Sequence, residues 1–141
     1  MQQNLNEYNY EATILRVVDG DTIDVELTLA DVDLGFSIYI QQKHRVKLRL
    51  AGINAPENST PEGQLATKNL KVILPTGGTC RVITVKDRTE KYGRYLAWVY
   101  LPSTPETKDA KVDWICLNDK LIEMGAAEPY NPSNAPHPIW P

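Results

Sequence analysis

The sequence predicts a mainly β, α+β fold, and two observations lead to this prediction. Five segments have the apolar–polar alternation or the β-branched content of strands, and one amphipathic helix interrupts them after the third strand. Three strands, a helix, two strands and a closing helix follow the order of a five-stranded OB-fold barrel with two or three helices. We expect one domain over residues 1–141, with its core at about 10–127 and an irregular, proline-rich tail at 128–141.

The first three strands are predicted from residue periodicity. Residues 12–18 (ATILRVV) form the first, and an Asp-Gly step at residues 19–21 predicts a tight turn after it. Residues 22–30 alternate apolar and polar side chains, as expected of a half-buried strand. The third extended stretch covers residues 36–50, so residues 31–35 would form the tip of a long hairpin.

The helix after these strands begins with a recognisable signal. Thr60 supplies a capping hydroxyl, Pro61 suits the first helical position, and Glu62 places negative charge in the first turn. An apolar stripe then follows at helical spacing: Ala66, Leu70, Ile73 and Leu74.

Two further strands and a short helix complete the predicted barrel. The strands are residues 80–86 and 95–101, followed by a polar loop at 102–110. Asn118 is predicted to cap the closing helix, which stops at Gly125.

Composition limits the class of protein. The chain is 42% hydrophobic and 23% charged, as in ordinary soluble domains, and no apolar run approaches the roughly 20 residues of a membrane helix. Residues 1–10 have no features of a signal peptide, so we expect an intracellular protein without a membrane partner. Cys80 and Cys116 form no metal-ligand pattern and are expected to be free, buried thiols. We expect a monomer, because no heptad pattern is present.

Charge is unevenly distributed along the chain. The formal net charge is −3, yet residues 41–94 contain eleven basic and four acidic residues, a net of +7. Such a segment can form a local surface that attracts nucleic acid. Alternatively, these side chains only solvate strand and helix surfaces, and the sequence leaves both interpretations open.

Five polar side chains at strand–loop junctions match the needs of phosphodiester cleavage. A hard cation requires oxygen ligands, which Asp19 and Asp21 can supply. An attacking water requires a base, for which Glu57 is the candidate. Charge on the phosphate requires donors such as Arg49 and Arg94. Each residue taken alone also fits an ordinary turn or a solvated surface.

Taken together, the polar segments resemble the thermonuclease (staphylococcal nuclease) family. That family has an Asp-Gly-Asp-Thr turn, an arginine on the third strand followed by an Asp-x-Pro-Glu loop, and a Lys-Tyr-Gly-Arg turn. Here the corresponding segments are Asp19–Thr22, Arg49 with Asn54–Glu57, and Lys91–Arg94, in the same order. The resemblance extends from about Tyr10 to Ala127.

The resemblance implies a calcium site. Asp21 would bind Ca²⁺ directly, and Asp19 would support the ion largely through water. Asn54 and the backbone carbonyl of Ala55 would complete the protein ligands. Asn54 stands where the family usually has aspartate, so the site would carry one negative charge fewer and bind calcium more weakly.

The resemblance also implies a catalytic arrangement. Glu57 would act as general base, Arg49 and Arg94 would hold the scissile phosphate, and Lys91 and Tyr92 would contact a neighbouring phosphate of the bound strand. The implied activity is hydrolysis of single-stranded or unwound DNA or RNA, leaving 3′-phosphate ends. The alternative is a catalytically weakened OB-fold module that binds single-stranded nucleic acid or a protein.

Overall fold

The structure is a computed structural model that describes residues 8–36, 38–89, 94–103, 113–132 and 134–138. Its long elements are those that the sequence predicts. They are β1 (Asn9–Asp19), β2 (Thr22–Asp33), β3 (Tyr39–Leu50), α1 (Pro61–Ile73), β5 (Thr79–Thr89) and β6 (Tyr95–Pro102), together with the short β4 (Ile53–Asn54), β7 (Trp114–Cys116), α2 (Leu117–Glu123) and β8 (Glu128–Pro129).

The sheet closes into a five-stranded barrel, which confirms the predicted fold class. The antiparallel order is β3-β2-β1-β5-β6, and a parallel pairing between β3 and β6 joins the two ends. The barrel interior is filled by the alternating apolar residues of these strands, by the buried face of α1 and by Leu117 and Leu121 of α2. Closure therefore brings the end of β3 beside the start of β6, although the two segments are distant in the sequence.

The start of α1 follows the prediction. Thr60 is the N-cap, and its hydroxyl accepts a hydrogen bond from the Gly63 amide at 3.0 Å. Pro61 begins the helix, and Ala66 and Leu70 are buried on its inner face.

The cap of α2 differs from the prediction, because Cys116 and not Asn118 occupies the N-cap position. Asn118 is fully buried inside the first turn. Its amide nitrogen donates to the carbonyls of Ala51 and Ala97, and its oxygen accepts from the Val99 amide. Asn118 therefore joins α2 to the barrel wall, and tertiary hydrogen bonds explain its presence better than capping.

The predicted irregular tail contains more order than its prolines suggested. β8 pairs with β4, and the Tyr130 amide donates to the Gly52 carbonyl at 2.9 Å. The Asn131 side chain donates to the Ala135 carbonyl and accepts from the Ala135 amide. Ala135 is buried in a second apolar cluster outside the barrel interior, which includes Trp98.

Both cysteines are free, as expected. Cys80 is buried, whereas Cys116 is only partly buried. Within the described ranges, no helix has the length and apolar character needed to cross a membrane.

Candidate active site

The predicted polar residues of the barrel meet where three strands come together. Thr22 at the start of β2 is opposite Arg49 near the end of β3. Arg49 is in turn opposite Leu96 on β6, through the parallel pairing that closes the barrel. This register brings the Asp19–Thr22 turn, Arg49 and Arg94 to one end of the barrel.

Asp21 is held firmly at the centre of this cluster. Its side chain is buried, and Oδ2 accepts a hydrogen bond from the Ala55 amide at 3.0 Å. The Thr22 hydroxyl lies 3.2 Å from Oδ1, and Asp19 Oδ1 accepts from the Asp21 amide at 3.3 Å. A bulge between Val17 and Asp19 ends the regular β1–β2 ladder just before this turn. The carboxylates of Asp19 and Asp21 therefore both lie in the turn between β1 and β2, where hydrogen bonds position them.

The environment of Asp21 raises its pKa. Burial is the largest cause, and a hydrogen bond with Asp19 adds to it. The Ala55 amide and the Arg49 charge act in the opposite direction without compensating fully. The ionised carboxylate is therefore less stable here than in water.

Arg49 is buried beside Asp21 and not solvated on a strand face. Its Nη1 donates to the Leu50 carbonyl at 2.8 Å. Its Nη2 lies 3.3 Å from Asn54 Oδ1 and 3.4 Å from Asp21 Oδ2. The guanidinium thus lies between the side-chain oxygens of Asn54 and Asp21, and both oxygens contact its Nη2.

Arg94 reaches the same cluster through Thr22. Its Nη1 donates to the Thr22 hydroxyl at 2.7 Å, and that hydroxyl contacts Asp21. From the sequence, Thr22 is predicted only as part of a turn motif and a strand. The available signal is its hydroxyl directly after the Asp19-Gly20-Asp21 turn, where a side chain can bridge two charged neighbours.

Small residues allow the Asp19–Asp21 turn to pack against the loop after β4. A Cβ placed on Gly20 would lie 2.7 Å from the Ala55 Cβ and 3.1 Å from the Ala66 Cβ. Neither distance leaves room for a side chain, so Gly20 permits the close approach of the turn to Ala55. This approach is what allows the Ala55 amide to reach Asp21.

Glu57 lies two residues beyond Ala55, on a loop that α1 holds in place. Its carbonyl accepts hydrogen bonds from the Thr60 amide and the Thr60 hydroxyl, at 3.0 and 2.7 Å. The Glu57 side chain is exposed, and it makes no hydrogen bond or ion pair in the part of the chain that the structure describes. Its carboxylate is accordingly accessible to solvent.

Two predicted site residues, Lys91 and Tyr92, lie outside the described residues. Their predicted contacts with substrate stay predictions.

The basic segment is partly neutralised along the β2–β3 hairpin. Lys43 and Arg45 lie 3.8 and 3.6 Å from the carboxylate oxygens of Glu26. Arg16 forms a 2.7 Å ion pair with Asp24 on the neighbouring strand. The charge of this surface is therefore smaller than the sequence count of basic residues suggests.

Together, the fold and the site define an OB-fold barrel with an acidic and arginine-containing cluster at one end. Residues 47–138 match the family model described as staphylococcal nuclease homologue. The chain therefore belongs to the staphylococcal nuclease homologue family.

Named relatives agree with this family. The chain is 29% identical over 128 residues to an uncharacterized endonuclease of Escherichia coli O157:H7, a match that covers 91% of this chain and 65% of the relative. It is 26% identical over 124 residues to the micrococcal nuclease of Shigella flexneri, covering 86% of this chain and 59% of that protein. The chain thus spans about three fifths of the length of these relatives.

Proposed function

We propose that this chain is a calcium-dependent nuclease that hydrolyses phosphodiester bonds of DNA and RNA and leaves 3′-phosphate ends. The observation that carries the proposal is the cluster in which Arg49 lies within 3.4 Å of both Asp21 and Asn54. It combines oxygen ligands for a hard cation with a guanidinium suited to phosphate. The family and the names of the two relatives support a nuclease.

The donor set of the cluster fits calcium. Asp21, Asn54, the Ala55 carbonyl and Asp19 offer only oxygen atoms, which Ca²⁺ prefers. Asp21 and Asn54 already direct oxygens at the same positive group, the Arg49 Nη2. When bound, calcium would offset negative charge on a phosphate oxygen.

Glu57 is proposed as the general base. Its carboxylate is exposed and carries no hydrogen bond or ion pair within the described residues, so it is available to accept a proton from the attacking water. Its backbone carbonyl accepts a hydrogen bond from the Thr60 hydroxyl, which fixes this part of the loop two residues beyond Ala55.

The two arginines are proposed to bind the phosphate. Arg49 lies near the end of β3 and Arg94 directly before β6, yet they reach adjacent residues, at Asp21 Oδ2 and Thr22 Oγ1. Two guanidinium groups can donate to separate phosphate oxygens and stabilise the charge that develops during attack. Lys91 and Tyr92 would contact the next phosphate of a single-stranded or unwound substrate, and the active unit would be a monomer.

Cleavage with end-group analysis tests this proposal. Fluorescent single-stranded DNA and RNA oligonucleotides are incubated with the protein in calcium, in magnesium and in chelator. We expect cleavage in calcium alone, with products that phosphatase treatment shifts because they end in a 3′-phosphate. Calcium-dependent products with 3′-hydroxyl ends would contradict the proposed bond choice, and cleavage in chelator would contradict the metal requirement.

A second candidate is a binding module without useful catalysis, which Asn54 favours because the site lacks one carboxylate. It predicts calcium-independent binding of the uncleaved oligonucleotide. Binding measured in chelator by fluorescence anisotropy, together with no cleavage in millimolar calcium, would favour this candidate over the nuclease.

A further inference from the structure

Three potential metal ligands converge beside Trp98, outside the candidate active site. Cys116 ends β7, Asp119 lies in α2, and His137 belongs to the tail. Their ligand atoms all lie within 4.8 Å of one another. His137 Nε2 is 2.8 Å from Asp119 Oδ2 and 3.8 Å from Cys116 Sγ. The sequence shows no metal-ligand pattern around Cys116, because His137 becomes its neighbour only when the tail folds back.

The hydrogen bond at Nδ1 of His137 indicates the protonation of its other ring nitrogen, Nε2. Nδ1 is 2.8 Å from the Pro138 carbonyl, which can only accept, so Nδ1 carries the proton of the neutral ring. Nε2 then directs a lone pair at a carboxylate oxygen and a sulfur. A proton shared among these three atoms, or a metal ion, accounts for their close approach. A backbone carbonyl is one of the usual partners of the other ring nitrogen in a metal-binding histidine.

The spacing suits a tetrahedral zinc ion. Zinc with bonds of about 2.3 Å to sulfur and about 2.0–2.1 Å to nitrogen separates these two atoms by about 3.6 Å. The observed distance between Sγ and Nε2 is 3.8 Å. The shorter contact between Nε2 and Asp119 Oδ2 would widen, which the exposed Asp119 side chain permits.

A nucleophilic cysteine fits this arrangement less well. In a Cys–His–Asp nucleophile the histidine uses one nitrogen for the thiol and the other for the carboxylate. Here Cys116 and Asp119 both approach Nε2 of His137. Three ligand atoms that approach one another in this way are arranged as they would be around one metal ion.

We propose that Cys116, Asp119 and His137 bind Zn²⁺, with water in the fourth position. Coordination replaces the thiol proton of Cys116, which leaves to solvent. The ion fastens the tail to α2 and β7, next to the contact in which the His137 ring lies 4.3 Å from the Trp98 ring. This site is independent of the proposed nuclease activity, because its sulfur and nitrogen ligands differ from the all-oxygen set around Asp21.

Cobalt binding to the metal-free protein tests the proposal, because Co²⁺ replaces Zn²⁺ and reports sulfur ligation by absorption. We expect one Co²⁺ per chain with thiolate-to-cobalt charge transfer in the near ultraviolet, abolished by zinc. Cys116→Ser should remove the band, and His137→Gln should weaken binding at least about tenfold, the loss that even supporting residues cause. Cys80→Ala, which removes the other thiol, and Asn54→Ala should both retain the band.

The wild-type spectrum alone can overturn the proposal. No charge-transfer band at one equivalent of Co²⁺ would mean that the three side chains form only a hydrogen-bonded contact. A band that survives in Cys116→Ser, or that is lost in a folded Cys80→Ala variant, would also overturn it. As a second readout, Zn²⁺ should raise the Tm of the wild type but not of His137→Gln.

Discussion

The Arg49 guanidinium donates a hydrogen bond to the side-chain oxygen of Asn54, with 3.3 Å between Nη2 and Oδ1. The same Nη2 lies 3.4 Å from Asp21 Oδ2. Asn54 therefore offers Arg49 a neutral side-chain oxygen, whereas Asp21 offers it a carboxylate oxygen.

Asn54→Asp should tighten calcium binding. A carboxylate at this position adds a charged oxygen ligand, and we expect the Kd to fall by about tenfold or more, where a decade corresponds to about 1.4 kcal/mol. Titration calorimetry of both proteins measures the change. Asn54→Ala is the matched control, and it should weaken binding because the oxygen is lost. An unchanged Kd in Asn54→Asp would show that residue 54 is not a ligand.

Thr22→Val should separate phosphate positioning from metal binding. Valine keeps the shape of threonine but loses the hydroxyl that accepts from Arg94 at 2.7 Å. The hydroxyl also lies 3.2 Å from Asp21 Oδ1, but Asp21 keeps its hydrogen bond from the Ala55 amide in this variant. With Arg94 less well positioned, we therefore expect kcat to fall by about tenfold while the calcium Kd changes less. Steady-state cleavage and calorimetry measure the two quantities. Thr28→Val on the same strand is the control, and an equal loss of activity in both variants would rule out a specific role for Thr22.

Gly63→Ala should displace the loop that carries Glu57. A Cβ on Gly63 would overlap the Glu57 carbonyl oxygen, so the backbone could not stay in place. We expect a loss of about 1–3 kcal/mol in the free energy of unfolding, as for other overpacked sites, and lower activity in the folded protein. Urea unfolding and cleavage assays measure these effects. Gln64→Ala, at an exposed neighbouring position, should leave the free energy of unfolding and the activity unchanged. A Gly63→Ala variant with unchanged stability and activity would contradict the loop geometry.

Asn118→Ala should destabilise the barrel. The Asn118 side chain is fully buried and satisfies the Val99 amide and the carbonyls of Ala51 and Ala97. Its removal takes one hydrogen bond from each of these buried groups, although the Ala97 carbonyl still accepts from the Ala51 amide, and it opens a small cavity. We therefore expect a loss of about 3 kcal/mol in the free energy of unfolding. Denaturant unfolding measures this value. Lys120→Ala on the exposed side of α2 should change it by less than about 0.5 kcal/mol, and equal effects would contradict the assigned role.

The sequence was sufficient to predict the barrel because its five strands and α1 follow local rules. Alternation in residues 22–30 and the Thr60-Pro61-Glu62 start depend only on neighbouring residues, and both are confirmed. Asn118 was misassigned as a cap, because capping and buried tertiary hydrogen bonds favour the same residue type. The order in the tail could not be predicted, since it depends on the pairing of β8 with β4 and on the Asn131–Ala135 contacts.

The sequence indicated which residues to consider for the candidate site, but it did not indicate the contacts between them. Asp21, Arg49 and Asn54 were singled out from motifs, yet the position of Arg49 between the two oxygens follows from the register of three strands. Thr22 and the Cys116–Asp119–His137 group depend on distances between elements that are far apart in the sequence. Local patterns carry no information about such distances.

The central claim is that Glu57 and the Asp21 cluster together support calcium-dependent cleavage despite Asn54. The most direct measurement is the initial rate of single-stranded DNA cleavage by the wild type and by Glu57→Gln, at calcium concentrations that saturate both proteins. We predict measurable cleavage by the wild type, a reduction of about 100-fold or more in Glu57→Gln, and equal calcium affinities. Equal rates in the two proteins, or no wild-type cleavage in saturating calcium, would contradict the account.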